Sequence, residues 1–161
     1  MDRVVGMGEY IVTNAEDDIL RTFSLASCVA VTVYCPIKRA AGMIHVVLPY
    51  PFTEKDKKNR PSFFAETGVP LLVNEICRKY ACSKGELCIE LYGGADSVLK
   101  QDIYGIGKKN IDAVKKALHL MGLTVRKEDL RGTESRTISM DVKTGAMEIS
   151  RQQILSCEKT G

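Results

Sequence analysis

The chain has 161 residues, long enough for one domain with a real core. Its balance of 45% hydrophobic and 27% charged residues is ordinary for a globular protein. A net charge of +3, no Trp and only ten Phe or Tyr argue against a nucleic-acid surface built on basic patches and stacked bases.

The opening residues Met1 to Gly6 lack the apolar core of a secretion signal, and no segment approaches the ~18 apolar residues of a membrane span. The expectation is a cytoplasmic protein with no membrane insertion of its own. Six cysteines stand at positions 28, 35, 77, 82, 88 and 157. No two have C-x-x-C spacing and histidine is scarce, so no metal site, cofactor or disulfide framework is expected. Most of the cysteines read as small buried hydrophobes.

In chain order, Gly8 to Thr13 reads as a short strand, with Glu9 to Thr13 rich in β-formers. Asn14 to Asp18 is a polar loop, and Ile19 to Leu25 an extended segment. Cys28 to Cys35 is the clearest strand. Val29, Val31 and Val33 share one face, with Cys28, Ala30, Thr32 and Tyr34 on the other. After a turn at Pro36 to Arg39, Ala41 to Leu48 is nearly apolar throughout, as in a strand buried on both faces. The short connection makes it an antiparallel neighbour. His45 lies within it, on the face of Met43 and Val47.

Pro51 to Ser62 reads as a long, charged, proline-bounded loop. Thr67 to Tyr80 carries a helical stripe of Val69, Leu72, Val73, Ile76 and Tyr80, with Pro70 expected in the first turn. Glu86 to Tyr92 is a strand running into Gly93-Gly94-Ala95. A second helix starts at Gly107 or Lys108 and runs to Met121, with Gly122 as its C-terminal cap and His119 facing solvent. A strand is expected from Leu123 to Arg126. Arg136 to Asp141 and Ala146 to Ser150 form a hairpin across Val142 to Gly145. The tail after Arg151, with Cys157 in it, is polar and expected to fray. Strands do not alternate regularly with helices, which excludes a doubly wound nucleotide fold. The pattern predicts a mixed α/β domain spanning 1–161, with a β-rich core covered by two principal helices.

Chemistry concentrates between Arg21 and Leu48. Cys28 follows a cluster of small and hydroxylated residues, and His45 follows seventeen residues later. Cys28 at the start of one strand and His45 inside its neighbour could form a thiolate–imidazole pair. Such a pair attacks an amide carbonyl, releases the amine or ammonia and hydrolyses the thioester. The developing oxyanion needs donors, for which the backbone N–H of Cys28 and the hydroxyl of Ser27 are candidates. Thr22, Ser24 and Thr32 could each orient the imidazole. The pattern alone leaves the alternative open that both residues are core, since a cysteine beside valines and a histidine in an apolar strand commonly are.

Gly6-Met7-Gly8-Glu9-Tyr10, Leu25-Ala26-Ser27-Cys28-Val29 within Thr22 to Val29, Gly42 to Pro49 around His45, Tyr92-Gly93-Gly94-Ala95, Ile106-Gly107-Lys108-Lys109-Asn110 and Thr144-Gly145 stand in this order along the chain. That set resembles the chemoreceptor glutamine deamidases of chemotaxis, the CheD family, over nearly the whole chain. Ala26 stands where the family usually has glycine. Gly132 to Arg136 departs from a glycine- and asparagine-rich loop, with Arg136 retained. The resemblance implies hydrolysis of glutamine side chains on methyl-accepting chemoreceptors to glutamate, with Cys28 as nucleophile, His45 as general base and acid, and Thr22 as orienting residue. It implies a β-sandwich-like core of mixed sheets flanked by helices, similar to the deamidating cytotoxic necrotizing factors. It implies receptor cytoplasmic helices as substrate, met by an open groove, and CheC, a response-regulator phosphatase, as partner. A rival is a binding module that regulates such a phosphatase without deamidation. Hydrolysis of another amide, such as a peptide, is a third reading.

Overall fold

The computed structural model describes residues 1–96 and 104–154. The chain runs β1 (Asp2–Val4), β2 (Tyr10–Thr13), β3 (Ile19–Leu25), β4 (Val29–Cys35), β5 (Ala40–Val46), α1 (Glu54–Asn59), α2 (Ala65–Tyr80), β6 (Cys88–Gly93), α3 (Ile106–Leu120), β7 (Lys127–Leu130), β8 (Glu134–Asp141) and β9 (Met147–Gln153). A four-stranded sheet has the order β1-β3-β8-β9 and a five-stranded sheet the order β2-β5-β4-β6-β7. Both are mixed, since β1 runs parallel to β3 and β7 parallel to β6, while the other pairs are antiparallel.

The alternation along β4 sets the layers. Val29, Val31 and Val33 join Ile44, Ile89 and Leu91 in a core against Val69, Leu72 and Ile76 of α2 and Val114 and Leu118 of α3. Ala30 faces the other way and joins Met43, Tyr92, Leu20, Leu25, Ile138 and Met140 between the two sheets. The molecule is therefore sheet, sheet, helices, with β4 and β5 in the middle layer. Every residue of β5 is buried, as its continuous apolar run predicts.

Several boundaries differ from the sequence expectation for physical reasons. α2 begins at Ala65, so Pro70 is its sixth residue and lies inside the helix. The early start is supplied from outside: the N–H groups of Ala65 and Glu66 donate to the carbonyls of Leu48 and Pro49, at 2.9 and 3.1 Å. The segment expected as a charged loop contains α1. Its N-cap is Thr53, whose Oγ1 accepts from the Asp56 N–H at 3.0 Å. Leu123 does not open a strand. Its N–H donates to Leu118 O and that of Gly122 to His119 O, closing α3 in a Schellman motif with Gly122 at φ 73°. Pairing with β6 begins only at Lys127.

The hairpin of β8 and β9 forms as expected and extends further, from Glu134 to Gln153. Arg136, read with the preceding loop, is 5% exposed and bonds Asp129 at 2.8 Å and the carbonyls of Glu134 and Arg131. It anchors the chain between β7 and β8. Cys157 lies outside the described residues. Among the described residues no helix is long and apolar enough to cross a membrane.

Candidate active site

Thr22 and His45 meet in the space between the sheets. Thr22 sits on β3, with no exposed surface, and His45 on β5, 2% exposed. Thr22 Oγ1 and His45 Nδ1 are 2.7 Å apart. A hydroxyl has one proton, and that of Thr22 is given to the carbonyl of Val5, also at 2.7 Å. The oxygen must then accept from the ring, so Nδ1 carries the imidazole proton. That leaves Nε2 as the unprotonated nitrogen, buried and with no hydrogen-bond partner among the described residues. The other orienting candidates are committed elsewhere. Ser24 is exposed at a bulge in β3 with φ 55°, and Thr32 Oγ1 points its proton to Glu90 O at 3.5 Å.

Cys28 lies on the face that carries His45. The register pairs Ala30 with His45 and Val29 with Val46. Cys28 is two residues before Ala30, which makes it the diagonal neighbour of His45 across the strand pair, a spacing that longer side chains bridge. No direct hydrogen bond joins the sulfur and the imidazole. Cys28 is half-buried, so a substrate arriving from outside meets the thiol first and the enclosed imidazole behind it.

Burial sets both protonation states. It pushes the Cys28 thiol up to about 11, against the smaller downward pull of the residue's own N–H, and pushes His45 down to about 4. Burial thus disfavours charge on both groups of the expected thiolate–imidazole pair in the free chain.

The loop before Cys28 is held by its carbonyls. Ala26 O accepts from the Ala95 N–H at 2.7 Å, Cys28 O from the Gly94 N–H at 2.8 Å, and Ser27 O from Asn110 Nδ2 at 2.9 Å. Gly93 must be glycine here: its φ is 108°, and a Cβ would lie 2.2 Å from Cys28 O. Among the described residues no acceptor takes the Cys28 N–H except its own sulfur. Ala26 is not among the non-glycine residues at positive φ, so alanine carries no backbone strain at that position. Ser27 is half-exposed, with its carbonyl tied to Asn110.

Two contributors escape a sequence reading. Val5 supplies the acceptor that fixes the Thr22 proton, and Asn110 reaches the Cys28 loop from α3. The Asn110 signal was present, as a poor helix former placed three residues after a helix glycine.

The model of the family described as CheD chemotactic sensory transduction matches residues 47–151. Full-length similarity extends over the site as well. A probable chemoreceptor glutamine deamidase CheD of Syntrophotalea carbinolica is 40% identical over 151 residues, 92% of this chain and 93% of that protein. One from Syntrophus aciditrophicus is 33% identical, covering 89% and 90%. Among solved structures, the Bacillus licheniformis hypothetical protein YfiH aligns with a TM-score of 0.50 at 14% identity, over 74% of this chain and 49% of that one, a likeness of fold alone. With a family model over more than half its length and close relatives along nearly all of it, the chain belongs to the CheD family.

Proposed function

We propose that the protein is a protein-glutamine deamidase of chemoreceptors, in which Cys28 is the nucleophile, His45 the general base and acid, and Thr22 the residue that orients it. The observation that carries the reading is the Thr22–His45 bond. It fixes the tautomer with Nε2 free, on the face where Cys28 stands diagonally opposite.

The reaction begins as a glutamine carboxamide enters beside the thiol. His45 Nε2 takes the Cys28 proton as Sγ attacks the carbonyl carbon. The imidazolium so formed keeps its Nδ1–H on Thr22. The oxyanion takes the N–H of Cys28, which the departing proton and attacking sulfur release from its contact with Sγ, with the Ser27 hydroxyl as second donor. Collapse breaks the C–N bond, and His45 returns its proton to the departing ammonia. Water, deprotonated by His45, attacks the thioester and releases glutamate and the thiol. The balance is one amide and one water to one acid and one ammonia.

The substrate in this reading is a glutamine on the cytoplasmic helices of a chemoreceptor, and a CheC-type phosphatase is a protein partner. Incubating wild type and Cys28→Ala with a chemoreceptor cytoplasmic fragment, and following ammonia and the amide-to-acid mass change, tests it. Only wild type should convert glutamine. Equal conversion by the variant would remove Cys28 from the mechanism, and no conversion by either would favour the binding-module reading.

A further inference from the structure

We propose that Asn110 is a positioning residue of the reaction, holding the Cys28 loop and the end of the His45 strand at one fixed separation. The inference rests on the reading of Cys28 and His45 as nucleophile and base.

One amide makes both attachments. Asn110 Nδ2 donates to Ser27 O at 2.9 Å, immediately before the nucleophile, and to Val47 O at 3.0 Å, two residues beyond the base. A primary amide has two N–H donors, and both are used. Reversing the amide would set its oxygen against two carbonyls, so the partners fix its orientation. With both protons engaged, Asn110 has none left for an oxyanion. Its action is on geometry.

The neighbouring carbonyls of Ala26 and Cys28 are held by backbone N–H groups of the Gly94–Ala95 segment. Among these three carbonyls the middle one is held by a side chain in the described residues, and that same side chain also reaches Val47 O, just past the His45 strand. The α3 helix brings it there through Gly107, one turn earlier on the same face. A Cβ at Gly107 would lie 2.3 Å from Ala95 O, so glycine lets the helix seat against the loop.

Stability alone is a poor reason for this residue. Asn110 has no exposed surface, and its Oδ1 has no partner among the described residues. A buried acceptor left unpaired costs its desolvation without return. Asparagine also lowers helix propensity. Both penalties fall where the Cys28 loop and the His45 strand must keep register. A displacement of about 1 Å between reacting groups can cost ~100-fold in rate.

The test uses the full chain with Asn110→Ala and Asn110→Asp, the latter similar in shape without the two donors. Ammonia release from a chemoreceptor fragment gives kcat and KM. In both variants kcat should fall by roughly 30-fold or more with KM within about 3-fold, the mark of lost alignment. Independently of activity, Cys28 alkylation by iodoacetamide is followed against pH in wild type, His45→Ala, Asn110→Ala and the double variant. Asn110→Ala should raise the alkylation rate above wild type as the loop loosens and the buried thiol gains solvent, and the change it makes in the His45→Ala background should differ from the change it makes in wild type. A folded Asn110→Ala with kcat within about 3-fold of wild type, or strictly additive alkylation effects, would overturn the proposal. So would loss of cooperative melting in both variants, which would assign the residue to stability. If wild type releases no ammonia, the deamidase reading fails, and the alkylation cycle still decides Asn110.

Discussion

Thr22 and His45 come from different sheets, and the 2.7 Å bond between them crosses the sandwich interior. The bond has a direction. Thr22 spends its proton on Val5 O, so it receives the proton of Nδ1 and leaves Nε2 unprotonated. The tautomer is thus fixed by a backbone carbonyl just beyond β1, two residues removed from the ring.

Removing that hydroxyl should cost activity more than fold. In Thr22→Val, Val5 O and the Nδ1–H both lose a partner, and the ring can adopt the other tautomer. A kcat loss of roughly 10- to 100-fold is expected, part of the 10²–10⁴ that acid–base catalysis typically supplies. Thr22→Ser keeps the hydroxyl and should stay within a few-fold of wild type. Ammonia release reads the rate, and the ring-nitrogen NMR shifts of His45 read the tautomer.

The pH dependence of stability follows from the same burial. The unfolded imidazole titrates at 6.5 and the folded one at about 4. Between those values the unfolded state binds more protons, so stability is full above pH 6.5 and declines as pH falls towards 4. At ~1.4 kcal/mol per pH unit the gap amounts to about 3 kcal/mol. Urea unfolding of wild type and His45→Gln across pH 4–7 checks it. The difference between the two curves should slope in this window, and parallel curves would contradict the buried neutral ring.

Much of this arrangement is legible in the sequence, and the omissions share a cause. The alternation of Val29, Val31 and Val33 placed β4 between two cores, and Gly122 marked the end of α3, because both signals are local. The choice of Thr22 over Ser24 and Thr32 came from resemblance alone. All three are hydroxyls near Cys28 in the sequence, and only the pairing of sheets separates them. Val5 was hidden because three-residue β1 has no periodicity to read. The burial that disfavours charge on Cys28 and His45 is not legible in the sequence because it depends on how completely the second sheet covers them. The turn of α1 was missed although Thr53 and Asp56 carried its capping signal, because the charged, proline-bounded composition was read as loop.

Cys28 should be a slow thiol in the free enzyme. With its proton held to about pH 11, the thiolate is scarce at neutrality. Against a free cysteine of pKa ~8.5, and allowing for the greater nucleophilicity of a more basic thiolate, iodoacetamide should react roughly 10- to 100-fold more slowly at pH 7. The rate should climb into the alkaline range. The acid limb of kcat/KM should lie near pH 4, where His45 titrates, rather than near 6.5. Peptide mapping by mass spectrometry separates Cys28 from the other five cysteines. Rapid alkylation at pH 6 would instead establish a preformed ion pair.

Gly93 offers the sharpest test of the nucleophile loop. Its φ of 108° is one that side chains rarely adopt, and an alanine Cβ would be 2.2 Å from Cys28 O. The obstacle is backbone, so the loop must move as a unit. Strain of ~1–3 kcal/mol is expected from the conformation alone, before the clash is counted. The displaced carbonyl belongs to Cys28 itself, and its bond from Gly94 N–H would break with it. Gly93→Ala should therefore lower the melting temperature and, in the fraction that remains folded, reduce kcat at least tenfold, as expected for a shifted nucleophile. Gly85→Ala is the matched control, since nothing lies within 4 Å of its Cβ position and its φ is not positive. Equal melting temperatures and rates for the two variants would show that the Cys28 loop tolerates movement its bonds do not allow.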